Sequence, residues 1–90
     1  DQILQFNSDK ATRVIVIRMR SVPAIDASAM KSLRELADRA KKKKITLVFS
    51  HVNEQPMSVM VKDGFTEYVG AQNFHANIVE ALDYAENLVK

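Results

Sequence analysis

The chain has 90 residues, 47% of them hydrophobic and 27% charged, with a formal net charge of +2 and no cysteine. That length suits one small domain, the balance of apolar and charged residues excludes a disordered chain, and the lack of cysteine excludes disulfides and thiolate metal sites. No apolar run approaches the roughly 18–20 residues that cross a bilayer, and Asp1-Gln2-Ile3-Leu4-Gln5-Phe6 has neither the basic start nor the apolar stretch of a signal peptide.

Residues 1–13 are polar overall and read as supplying no strand. Residues 14–19 form a near-continuous Val/Ile run, interrupted by Arg18, which suits a central strand covered on both faces. Pro23 keeps Val22 extended and ends the run. Asp26 is placed to cap the helix that follows, and it reads first as a cap and only second as an acid that orients Ser28. Ala29, Met30, Leu33, Leu36, Ala37 and Ala40 recur at three- and four-residue steps, an amphipathic helix of about four turns. Glu35 and Arg39 sit four apart on its wet face in the favourable order. Lys41, Lys42, Lys43 and Lys44 close it. They complement the negative helix end and solvate the surface, or they meet anionic lipid head groups or an acidic partner.

Residues 45–49 read as a second buried strand and residues 51–55 as a loop. Pro56 suits the first turn of a helix through Met57, Val59, Met60 and Val61 that stops at Gly64. Residues 65–69 read as a short third strand, and residues 70–73 as a turn. Asn77 caps a last helix, with Glu80 as its reciprocal partner, and Ile78, Leu82, Ala85 and Val89 form the apolar stripe. Alternating strands and helices indicate an α/β fold with parallel strands and right-handed crossovers. Ligands and partners of such folds gather where strands end and helices begin, here at residues 26–29, 50–55 and 70–73.

Charge is unevenly spread. Residues 27–44 carry Lys31, Arg34, Arg39 and the four lysines against Glu35 and Asp38, a balance of +5. Residues 51–90 carry Lys62 and Lys90 against Glu54, Asp63, Glu67, Glu80, Asp83 and Glu86, a balance of −4. That asymmetry suits oriented docking better than nucleic-acid binding, and basic residues interleaved with aromatics are lacking. His51 and His75, with no thiols and no H-E-x-x-H spacing, make no metal site. Gly64 and Gly70 alone make no phosphate loop, so no cofactor is expected. Met19, Met30, Met57 and Met60 read as core fillers. No nucleophilic triad is legible, and the chain reads as non-enzymatic.

The run Val22-Pro23-Ala24-Ile25-Asp26-Ala27-Ser28-Ala29-Met30-Lys31-Ser32-Leu33, behind its apolar strand, resembles the STAS domain (sulfate transporter and anti-sigma factor antagonist). So do Val61-Lys62-Asp63-Gly64-Phe65, Gly70-Ala71-Gln72-Asn73-Phe74-His75 and the closing Glu80-Ala81-Leu82, a pattern closer to the SulP anion-transporter branch. The match covers residues 13–88. It implies a sheet of mainly parallel strands with helices packed mostly on one side. It also implies a place on the cytoplasmic side of the membrane, as part of a permease for sulfate, bicarbonate, dicarboxylate or a similar anion. The expected role is regulation, assembly or protein interaction, with the permease's own transmembrane domain or a cytosolic regulatory protein as partner. The alternative is a stand-alone anti-sigma factor antagonist, in which the serine aligned with Ser28 is phosphorylated. The partner-binding candidates are Asp26, Ala27, Ser28, Ala29, Lys31, His51, Asn53, Glu54 and Met57. Two departures stand out. Ala29 replaces the usual glycine, and the strand pair that opens the family is missing, with residues 1–7 resembling the tail of its first helix. The chain thus reads as a single domain over residues 1–90, truncated at its N-terminus.

Overall fold

A computed structural model describes residues 3–7 and 13–89, with side chains from Val14 onward. Four strands form one sheet in the order β1-β2-β3-β4: β1 (Ile3–Asn7), β2 (Arg13–Arg18), β3 (Ile45–Ser50) and β4 (Phe74–His75). β2, β3 and β4 are parallel, and β1 pairs antiparallel with β2, Ile3 opposite Ile17 and Asn7 opposite Arg13. The helices are α1 (Ala27–Lys42), α2 (Glu54–Asp63), α3 (Phe65–Val69) and α4 (Ile78–Leu88), with a 3-10 turn at Ala71–Asn73.

The alternation of side chains along β2 and β3 divides the core in two. Ile17, Leu47 and Phe49 face α1, α2 and α3, where Met30, Ala37, Ala40, Met60 and Phe65 close over them together with Met19 and Ile25. Val14, Val16 and Val48 face Ala81 and Ala85 of α4. Three helices on one face and one on the other is the arrangement that the resemblance implies. Met19, Met30 and Met60 fill the core as expected, and the α1 stripe is buried at Met30, Ala37 and Ala40.

Two sequence readings are corrected. Ile3–Asn7 is a strand, neither strandless nor a helix tail; the rest of that reading lies outside the described residues. β3 pairs with one edge of β2, and the other edge presents a row of backbone donors and acceptors that β1 satisfies. The third parallel strand is Phe74–His75, and residues 65–69 are helical. Gly64, at φ 81°, ends α2 in the left-handed region, and the chain turns directly into α3. That turn buries Phe65 edge-on against Phe49, ring centroids 5.7 Å apart. Phe74 then stacks on Phe49 at 4.9 Å. A strand at 65–69 would give up that first aromatic contact, so packing overrides the strand propensity of Phe, Tyr and Val.

Asn77 caps α4 as read: its Oδ1 accepts from the Glu80 N–H at 2.9 Å. Its Nδ2 donates to Glu80 Oε2 at 2.6 Å. Behind the cap, buried Asn73 donates to Val69 O at 2.9 Å and accepts from the Tyr84 hydroxyl at 2.8 Å. The turn at 70–73, one of the three candidate places, therefore ties α3 to α4 internally.

Candidate functional site

The carboxyl ends of β2 and β3 bring the other two places together. α1 begins at Ala27 because Asp26 is extended (φ −106°) and its Oδ1 accepts from the Ala29 N–H at 2.8 Å, a side-chain cap. The Asp26 carbonyl accepts the first helical bond, from Met30 at 3.0 Å. Ala27 and Ser28 then occupy the first turn with no helix carbonyl to receive their N–H groups. Asp26, Ala27, Ser28 and Lys31 are all exposed, whereas Ala29 is half-buried and packs against the core. Ala29, where the resemblance implies a glycine, has no positive φ, so its methyl group packs against the core without strain.

What holds this turn in place is the start of α2. Asn53 occupies the cap position of α2, yet its side chain makes no cap bond. Its Nδ2 instead reaches back to β2's exit loop, donating to Val22 O at 2.9 Å, Arg20 O at 3.0 Å and Met19 O at 3.3 Å. Gln55 pairs with the backbone of Ile25 in both directions, accepting from its N–H at 2.8 Å and donating to its carbonyl at 3.1 Å. Loop carbonyls at a strand end otherwise rely on water; here two amides satisfy five contacts and fix the loop. Asn53, a predicted partner contact, is thus a tether, and Gln55, within the predicted contact stretch 50–55, is its companion. Neither role has a local signal, because each amide acts on residues 30 or more positions away.

The remaining candidates lie just beyond. His51 is exposed, with φ 53°, and its N–H donates to His75 O at 3.0 Å, which extends the β3–β4 pairing past its last rung. Glu54, exposed, opens α2 where the helix dipole favours a negative charge. Met57 is half-buried. With His51, Glu54, Phe74 and His75 it lines a hollow of about 460 Å³. The His75 ring packs 4.5 Å from that of Tyr84. Ser50 Oγ and His75 Nε2, opposite each other on the β3–β4 ladder, are buried with no hydrogen-bond partner.

A second polar region lies along α1. Arg34 Nε donates to Asp63 Oδ2 at 3.1 Å and its Nη2 to Asp63 O at 3.0 Å, which joins α1 to the end of α2. Tyr68 donates its hydroxyl to Asp38, and this bond, reinforced by desolvation and by the carboxylate charge, raises the phenol above its ordinary value; nearby Arg34 opposes the shift. These contacts clamp α1 to α2 and α3.

A parallel three-strand core covered by three helices on one face and one on the other, with a capped helix start at the carboxyl edge, defines a STAS-like α/β domain. The family model described as the STAS domain matches residues 1–81, and the chain belongs to that family. Over 75 residues, 83% of this chain, it is 25% identical to "Probable sulfate transporter 4.2" of Arabidopsis thaliana. That stretch is only 11% of the relative's length. A solved sulfate transporter family protein from Wolinella succinogenes superposes with a TM-score of 0.80 at 36% identity, over 84% of this chain and 62% of that one. Among the described residues, no helix is long and apolar enough to cross a membrane.

Proposed function

We propose that this chain is a non-enzymatic regulatory and protein-interaction domain of a SulP-type anion transporter, held on the cytoplasmic side of the membrane. Its contact surface is residues 26–31 together with residues 51–57. It meets the transmembrane domain of the same permease or a cytosolic regulatory protein, and the anion carried is sulfate, bicarbonate, a dicarboxylate or a similar species. Sulfate-transporter relatives support the parent protein. The observation that carries the surface is the double tether of Asn53 and Gln55, which holds the exposed Ser28 turn beside the exposed start of α2. A surface held in advance loses less freedom on docking. Asp26 is engaged in capping and the two amides in tethering, which suits recognition rather than turnover.

Ser28→Glu tests the reading. A negative charge in the first turn is tolerated by the helix, worth about 0.3–1 kcal/mol in its favour. The variant should therefore melt within a few degrees of the original while binding the purified transmembrane domain at least about tenfold more weakly, a loss of about 1.4 kcal/mol. Unchanged affinity sinks the surface. The exposed Ser28 hydroxyl also supports a second reading, an anti-sigma factor antagonist switched by phosphorylation there. The gene separates the two. A series of membrane-spanning segments ahead of the domain supports the first, and a short stand-alone reading frame the second.

A further inference from the structure

The densest charge in the molecule lies at the other end of α1. Arg39, Lys41, Lys42, Lys43 and Lys44 are all exposed. At 1.5 Å per residue, the 16 residues of α1 put this end about 24 Å from the Ser28 turn, beside the first residue of β3 rather than its last. Of the neighbouring acids, Asp63 pairs with Arg34, and Asp38 and Glu35, the two within residues 27–44, leave that stretch at +5. Lys41 lies over the Tyr68 ring at 4.1 Å. Arg34–Asp63 is the one close ion pair among the described residues, so Arg39, Lys42, Lys43 and Lys44 are exposed with no carboxylate in ion-pair contact.

Helix termination does not account for this. The negative end of the helix acts over its last turn and is answered by Arg39, Lys41 and Lys42. Lys43 and Lys44 lie beyond it, and Lys44 adopts φ 58°, a conformation in which glycine or asparagine is at ease. The charge thus sits even where the backbone would favour another residue. Four of the five cations are lysines, compact point charges that lack the planar fork with which arginine grips a fixed carboxylate. Exposed ammonium groups on long flexible stems fit a fluid layer of phosphates better than a fixed bidentate partner.

We propose that this end of α1 docks on the anionic phospholipid head groups of a bilayer, with the Ser28 edge turned away from it. The proposal leans on the transporter reading only for the nearness of a membrane; the charge argument stands by itself. The test is co-sedimentation of the 90-residue chain with phosphatidylcholine vesicles, with and without about one-third phosphatidylglycerol. It is run at about 0.1 M salt, where charges act over about 10 Å, and at about 1 M, where they act over about 3 Å. Binding is expected only to the anionic vesicles and only at the lower salt. The double variant Lys42→Gln, Lys43→Gln should weaken partition about twenty-five-fold, at about fivefold per lysine near the surface. The charge-matched pair Arg20→Gln, Lys62→Gln, on exposed positions elsewhere, should change it less than about threefold. Ser28→Glu should leave it unaltered, which separates failure here from failure of the contact surface. Equal binding to neutral vesicles, no binding at all, or equal losses in the two double variants overturns the proposal, the last two leaving an acidic protein or general cationic stickiness as the explanation.

Discussion

On one face of the sheet, Ile17, Leu47 and Phe49 meet long and aromatic side chains from three helices; on the other, Val14, Val16 and Val48 meet two alanines of a single helix. The first face gets its cohesion from interdigitation. Phe49 alone touches Phe65 edge-on and Phe74 face-on, and it is fully buried. The second face gets its cohesion from closeness. Ala81 and Ala85 have no exposed surface and let the middle of α4 lie close over the valines, with Ile78, Leu82 and Tyr84 packed around them. A face filled by large groups is vulnerable to deletion, and a face defined by small ones to insertion.

That difference can be broken or sharpened by substitution. Removing the ring at the centre of the deep face, Phe49→Ala, should cost about 3–5 kcal/mol. This is a large part of the total for a small domain, and urea unfolding would detect it as a collapsed or missing transition. Enlarging the thin face, Ala81→Leu, should cost about 1–3 kcal/mol by forcing α4 off the sheet. A neutral result in the same titration would show slack under α4 and erase the contrast. The smallest effect is expected for Ser50→Ala. Alternation puts Ser50 on the α4 side, and its buried hydroxyl has no partner. Deleting an unsatisfied polar atom should leave stability within about 0.5 kcal/mol or raise it. A loss above about 1 kcal/mol would mean that the hydroxyl is paired through a buried water.

How much of this was legible depends on whether each element is specified locally. β2 and β3 are read from their Val/Ile/Leu runs, α1 and α4 from helical spacing, and the caps at Asp26 and Asn77 from residue type alone. These features need no distant partner to be recognised. Residues 65–69 were read as a strand because Phe, Tyr and Val favour one; what makes them helical is the aromatic packing on Phe49, sixteen positions back from Phe65. Ile3–Asn7 was missed for a similar reason, since its strand exists through pairing with β2 rather than through a periodic signal of its own. At the candidate site, the exposed cap and Ser28 were visible in the sequence. The amides that hold them were not, because a side chain that serves another segment's carbonyls looks, in one dimension, like any polar loop residue.

Asn53 presents two amide hydrogens to three carbonyls. Met19 O also accepts from the Val22 N–H at 3.0 Å, so the anchorage leaves none of the three without a donor. Such a joint behaves like a bracket: the exit of β2 and the beginning of α2 keep one relative placement. A partner that meets the Ser28 turn therefore meets the beginning of α2 as part of the same piece, so that both segments present one unbroken footprint.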